Sequence, residues 1–172
     1  YPTAGSLRIF GMHPGSPAAY ARLGYMPENP YLYKYLKPLE FLDLCARTLK
    51  LPAGEREKRC QTWLERVGLG DAADRPIMRF SKGMMQRIAL AQALIHEPDL
   101  IILDEPMSGL DPVGRKEVRE LLLEQKRRGA TLLVTSHILH DVEMLCDSVV
   151  MIAKGQVAAT GTLSELCEDS GK

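Results

Sequence analysis

An excess of charge of either sign is missing from this sequence. Its 172 residues carry 22 lysines and arginines against 22 aspartates and glutamates, a formal net charge of zero. Bulk electrostatics therefore draw it neither to nucleic acid nor to an anionic membrane surface, and no nucleic-acid partner is expected. Long hydrophobic runs are missing too. Stretches such as "VVMIA" and "LIIL" fall far short of the ~18 residues of a membrane span. There is no signal-peptide pattern, so work at a membrane would depend on a partner. The four cysteines (Cys45, Cys60, Cys146 and Cys167) show no C-x-x-C spacing and fall within helical patterns. They read as buried, reduced thiols of a cytosolic protein rather than as disulfides. Internal repeats and low-complexity segments are absent. What remains is ordinary globular composition, 45% hydrophobic and 26% charged, in a length that suits one domain and a small second lobe. The sequence starts at Tyr1, inside the turn-like "YPTAGS", which suggests a processed chain or part of a longer one.

Element signals divide the chain. "SLRIFG" (6–11) reads as a strand closed by glycine, "GMHPGSPAAYA" as turn-rich, and "RLGYMPENP" as a short strand entering a Pro-bounded loop. Two amphipathic helices follow, one with Phe41, Leu44, Cys45, Thr48 and Leu49 along a face, the next with Cys60, Trp63, Leu64 and Val67 before Gly68 stops it. Together they read as a helical lobe. Ser81 precedes a helix from about Met84 to His96 whose face carries Met84, Ile88, Ala91 and Ile95, ended by Glu97-Pro98. The second half then alternates: strand 99–103, helix 113–128 ended by Gly129, strand "ATLLVTS", helix 138–146, strand "DSVVMIA", turn "KG", strand "QVAAT" and helix 162–168. Such alternation predicts a parallel α/β sheet with helices on both faces.

In "LIILDEPMSGLD" (100–111) an apolar strand, expected to be buried on both faces, ends in two adjacent carboxylates, Asp104 and Glu105. Desolvation disfavours charge there, so a cation is expected beside them. Ligands of open parallel sheets lie beyond the carboxyl ends of strands, where "LLVTSH" also delivers His137. Two carboxylates and a histidine at adjacent strand tips suit a magnesium–phosphate site. Asp104 would hold the metal through water, Glu105 would take a proton from an attacking water, and His137 would hold the transferred phosphoryl group. The competing reading is a capped strand end with solvated acids and a surface histidine. Ser81 is either a plain helix cap or, with Gly83 allowing close approach, the start of an anion site. His137 and His140 have helical metal-ligand spacing but no third ligand beyond Asp141, so zinc is not expected. The basic cluster 126–128 reads as a solvated helix C-terminus, and Met84-Met85 as packing.

In order and separation, "FSKGMMQR", "LIILDEP", "SGLD" and "VTSH" resemble the ATP-binding subunit of ABC transporters, and the resemblance runs from "YPTAGSLRIFG" to "GTLSELCE". It implies a P-loop NTPase-like parallel sheet flanked by helices, with an inserted helical subdomain. Core parts would span 1–30 and 98–172, and the helical subdomain 31–97. "LIILDE" resembles the Walker B strand, which implies Asp104 on the magnesium side and Glu105 as catalytic base. "SKGMM" resembles the signature motif, implying that Ser81, Lys82 and Gly83 reach the γ-phosphate bound by a second ATPase subunit. "SGLD" resembles the D-loop, implying Asp111 at the dimer seam, and His137 resembles the switch histidine. "GYMPENP" resembles the Q-loop with Glu28 in the glutamine position, facing the metal as an anion. The Pro27-Glu28 pair looks like the subgroup that works with ABC-2-type export permeases. The implied cofactors are ATP and Mg2+, the implied partners a membrane permease and a second ATPase subunit, and the implied place the cytoplasmic face of the cell membrane.

One family element is not found. The G-x-x-x-x-G-K-[ST] loop that cradles phosphates has no match: Gly171-Lys172 has Leu166 at the first glycine position, and "GMHPGSP" has Ser16-Pro17 where Gly-Lys is needed. In the family this loop and its strand precede the segment matching "PTAGSLRIFG", as does the aromatic residue that stacks on adenine. The chain by itself is therefore expected to hydrolyse ATP negligibly and to be poorly stable. Two other readings stay open: a soluble ABC-type ATPase not linked to transport, and a truncated non-catalytic subunit lending its signature face to a complete partner.

Overall fold

A computed structural model describes residues 3–169 of the chain and divides it into two units, Tyr1–Thr135 and Ser136–Lys172. In the first, β1 (Leu23–Met26), β2 (Leu100–Asp104) and β3 (Thr131–Thr135) form a parallel sheet in the order β1-β2-β3. Leu23 to Met26 pair with Leu100 to Leu103, and Leu100 to Asp104 with Thr131 to Thr135. Parallel neighbours need long crossovers, so the helical segment lies between β1 and β2 and a single long helix between β2 and β3. All three strands end at the same edge. The Arg22 carbonyl accepts from the N–H groups of Asp99 and Leu100, and the Asp99 carbonyl from Thr131, so the register is set before the strands begin.

Burial along β2 is one-sided, not two-sided as the apolar run suggested. Ile101 and Leu103 are fully buried while Leu100 and Ile102 are half-buried, because a sheet this small is incompletely covered on its second face. The strand expected at 6–11 does not form. Ile9 and Met12 make an isolated antiparallel bridge around Phe10 and Gly11, whose φ values of 53° and 74° reverse the chain tightly. Downstream, Ser16 caps a one-turn helix α1 (Pro17–Tyr20), its hydroxyl accepting from the Ala19 N–H at 3.2 Å.

The two helices expected after β1 both form. α2 (Pro38–Thr48) starts where Pro38 pre-sets φ and the Glu40 carboxylate accepts from the Lys37 N–H at 2.8 Å. It buries Pro38, Phe41, Leu42 and Ala46, whereas Leu44 and Thr48 face outward, so the expected stripe is rotated by about one residue. α3 (Ala53–Arg66) buries Cys60, Trp63 and Leu64 as its spacing predicts, and ends at Gly68, which takes φ 71°. α4 (Lys82–Leu94) is not one-faced: Ile88, Ala89, Leu90 and Ala91 are consecutive and all buried, as a helix enclosed by α2, α3 and β1 must be. α5 (Pro112–Arg127) buries Val118, Leu121 and Leu122 and ends at Gly129. Cys45 and Cys60 are free thiols whose pKa burial pushes up to about 11, so they are inert at neutral pH. Cys146 is likewise a thiol rather than half of a disulfide, and the side chain of Cys167 lies outside the described residues.

In the second unit, α6 (Leu139–Leu145) precedes β4 (Val149–Ala153) and β5 (Gln156–Gly161), and α7 (Leu163–Asp169) follows. β4 and β5 are a separate antiparallel hairpin rather than further strands of the parallel sheet. The "KG" turn is the reason: Lys154 and Gly155 take φ 51° and 76°, which folds the second strand straight back on the first. At the start of α7, Thr162 Oγ1 accepts from the Glu165 N–H while Glu165 accepts from the Thr162 N–H, a reciprocal cap.

Two contacts where α4 meets β1 are testable. A Cβ on Gly24 would lie 2.2 Å from the Ala93 carbonyl oxygen and 2.8 Å from Pro98 Cγ. Neither backbone nor proline ring can yield cheaply, so Gly24→Ala is expected to cost about 1–3 kcal/mol in denaturant unfolding. A change below a few tenths would mean that α4 does not sit this close. His96 Nε2 lies 3.1 Å from the Leu23 carbonyl oxygen and Nδ1 is buried without a partner. Burial lowers its pKa below 6.5, opposed by the Leu23 bond and helped by Arg59. A lowered histidine pKa stabilises the fold fully above 6.5 and progressively less as pH falls below it. Melting followed from pH 7.5 to 5 should therefore show stability falling, at no more than about 1.4 kcal/mol per pH unit for this group. His96→Gln should flatten that slope; an unchanged slope would assign it elsewhere.

Candidate functional site

The carboxyl edge of the sheet holds one of the non-glycine residues with positive φ. Glu105, directly after β2, has φ 49°, a left-handed conformation that costs a non-glycine residue about 1–2 kcal/mol. Hydrogen bonds on both sides hold it there. Its N–H donates to Thr135 Oγ1 at 3.0 Å and lies 3.3 Å from the Thr135 carbonyl oxygen. Its carbonyl accepts from the Ser108 N–H at 3.0 Å and from Gln86 Nε2 at 3.2 Å. Thr135 Oγ1 in turn donates to Asp104 Oδ1 at 2.5 Å. Asp104 and Glu105 are both half-buried. Glu28 lies two residues beyond the end of β1, at the same edge, and is exposed.

A second cluster joins the start of α4 to the loop after β2. Ser81 caps α4, its hydroxyl accepting from the Met84 N–H at 3.2 Å. Lys82 Nζ donates to Ser108 Oγ at 3.3 Å, and its stem covers Gly109, where a Cβ would meet the Lys82 chain at 2.8 Å. Gly109 holds φ 75°, a left-handed conformation that favours glycine. Gly83 faces Leu110 closely enough that a Cβ would come to 3.3 Å of its side chain. Asp111 caps α5, accepting from the Gly114 N–H at 3.0 Å. Thus Ser81, Lys82 and Gly83 are brought together with residues 108–110, and Asp111 closes that loop.

His137 belongs to the second unit, two residues along the chain from Thr135, and is exposed. His140 stands 3.8 Å from Glu143 on an exposed surface. Among the described residues no group of three or more His, Cys, Asp or Glu is placed to hold a metal.

A family model described as "ABC transporter" matches residues 1–108. The chain belongs to the ABC transporter family. It is 45% identical over 167 residues to an uncharacterised ABC transporter ATP-binding protein of Nostoc sp. (strain PCC 7120 / SAG 25.82 / UTEX 2576), covering 96% of this chain and 50% of that one. It is 36% identical over 170 residues to the linearmycin resistance ATP-binding protein LnrL of Bacillus subtilis (strain 168), covering 98% and 55%. A solved structure described as the ATP binding subunit of an ABC transporter superposes with TM-score 0.89 at 36% identity, over 99% of this chain and 72% of that one. The chain spans about half the length of the curated relatives it matches. Among the described residues, no helix is long and apolar enough to cross a membrane.

Measured against an ABC ATPase, the donor set fits magnesium. Mg2+ takes one or two carboxylates and fills its shell with water and phosphate oxygens, so a single carboxylate such as Asp104 would be enough without a three-ligand cage. Sequence reasoning missed two residues that the geometry brings in. Thr135 is the strand residue in register with Asp104, a pairing that exists only once the sheet has formed. Gln86 is one of several polar residues of α4, set apart by its burial (2% exposed) rather than by type or spacing.

Proposed function

We propose that this sequence forms part of an ATP-hydrolysing subunit that powers transport, in the export direction, through a separate membrane permease. In this reading residues 1–30 and 98–172 belong to the ATPase core and 31–97 to the helical subdomain. The subunit works as a dimer with a second ATPase subunit at the cytoplasmic face of the membrane. The observation that carries the reading is the pair Asp104-Glu105 at the tip of β2, fixed by one hydroxyl from the neighbouring strand. Bound Mg2+–ATP supplies the transferable phosphoryl group and the metal's charge. Asp104 would hold the cation through water, and the Glu105 carboxylate would accept the proton of the attacking water. Glu28, at the end of β1, would add a second carboxylate toward the metal, and His137 would donate to the phosphoryl oxygens. Ser81, Lys82 and Gly83, at the N-terminus of α4, meet the nucleotide of the other subunit, where N–H groups and a lysine favour anions. Asp111 lies at the seam between the two. Outward transport agrees with Pro27-Glu28 in the Q-loop and with similarity to a protein named for linearmycin resistance.

Because these 172 residues contain no G-x-x-x-x-G-K-[ST] loop, the chain by itself is expected to hydrolyse ATP at background rate. Purified 172-residue chain assayed for phosphate release checks this; turnover lost on Glu105→Gln would show that it needs no such loop. In an ATPase-competent protein containing this chain, Glu105→Gln should lower turnover about 100-fold or more while ATP binding persists, as loss of a general base does. Survival of turnover would remove Glu105 as the base.

A further inference from the structure

Glu105 is gripped from two elements that are distant in the sequence. Its N–H is bonded to Thr135 Oγ1 of β3 and its C=O to Gln86 Nε2 of α4, so both peptide groups flanking its Cα are fixed while φ stays at 49°. A side chain leaving a backbone pinned on both sides can start in only one direction. We propose that Gln86 and Thr135 are positioning residues that aim the Glu105 carboxylate, Thr135 also orienting Asp104, so that α4 and the base move as one body. The proposal rests on the reading of Glu105 as the base.

The chemistry of each residue suits this role. Thr135 has one hydroxyl hydrogen, and giving it to Asp104 Oδ1 leaves a lone pair for the Glu105 N–H. A single oxygen thereby ties the metal-side carboxylate to the base, and it does so with a neutral donor that leaves the Asp104 charge uncancelled. Gln86 is buried, and a buried amide that lacks a partner is costly, so its bond to the Glu105 carbonyl has no cheap alternative. Gln86 lies five residues after Ser81, on the helix whose N-terminus is read as meeting the other subunit's nucleotide. Displacement of α4 on that contact would pass directly to the Glu105 backbone, which makes the state of one subunit's signature helix an input to the geometry of its own base.

The test uses an ATPase-competent protein containing this chain, with Glu105→Gln as the reference for a lost base. Thr135→Val keeps the strand and the shape but removes the hydroxyl. It should lower kcat about tenfold to a hundredfold, the scale for removing a group that orients a functional ligand. In a Glu105→Gln background, where hydrolysis does not interfere, Thr135→Val should raise the Mg2+ concentration that half-saturates ATP binding by about tenfold, and Thr135→Ser should restore both quantities to within about twofold. Gln86→Met, similar in volume but unable to donate, should lower kcat without moving the Mg2+ requirement. If Gln86→Met fails to bind ATP, the Thr135 variants decide. Thr135→Val within about twofold of the parent in both readouts, with Glu105→Gln inactive, would overturn the clamp and leave the base assignment standing. Turnover surviving Glu105→Gln would overturn the base assignment and the clamp with it.

Discussion

β2 is paired on both edges, and that double pairing is the constraint on which the site depends. Leu103 is opposite both Met26 and Val134, and Asp104 opposite Thr135. Side chains alternate along a strand, so a slip of one residue would exchange Ile101 and Leu103 for Leu100 and Ile102 on the buried face. The same slip would set Asp104 against Val134 or Ser136 and deprive Glu105 of the Thr135 hydroxyl. Burying two methyl-rich side chains on one face thus fixes, through the register, which hydroxyl reaches which carboxylate. Each such side chain contributes about 1.5–3 kcal/mol when fully buried, more than the hydrogen bonds they align.

α4 is the second fixed body, and the burial of its middle and C-terminal part explains why Gln86 can be so exacting. Its C-terminal half touches β1 where Gly24 removes the side chain that would otherwise hold them apart. Arg87 donates to the Val67 carbonyl at 2.9 Å and to Glu117 at 2.6 Å, joining the end of α3 to α5 across α4. The Arg87 side chain is 17% exposed and Glu117 53%, so the ion pair itself adds little; the carbonyl bond under it is the better anchor. With α4 anchored at its middle and near its C-terminus, the Gln86 amide has a defined place from which to meet the Glu105 carbonyl.

What could be read beforehand follows from how local each signal is. β2, β3, α5 and the α3 face of Cys60, Trp63 and Leu64 came through because periodicity and capping residues act within a few positions. The α2 face was misplaced because its apolar residues are dense enough to fit two adjacent stripes, and only packing chooses between them; Leu42 and Ala46 won over Leu44 and Thr48. The 6–11 strand failed because Phe10, a residue that usually favours strands, takes a left-handed turn conformation beside Gly11. The acids, Ser81 and Gly83 were legible from type and order. Gln86 and Thr135 were not, since their importance lies in contacts across 19 and 30 residues of sequence that exist only once the register is set.

Asp104 could have been held in place by an arginine, which would have been the stronger bond. It is held instead by the Thr135 hydroxyl, at a position only half-buried. A guanidinium partner would neutralise the carboxylate and compete with any arriving cation; a hydroxyl orients it and leaves the charge in place. For Glu105 the bonds from Gln86 and Thr135 go to the backbone. Its left-handed φ is then the cost of presenting two adjacent acids at one strand tip. Strain of this kind persists where surrounding contacts over-determine it, and here hydrogen bonds from β3, α4 and the following turn do so. The Thr135 hydroxyl thereby orders Asp104 without cancelling its charge, which suits the reading of this strand tip as the place of a cation.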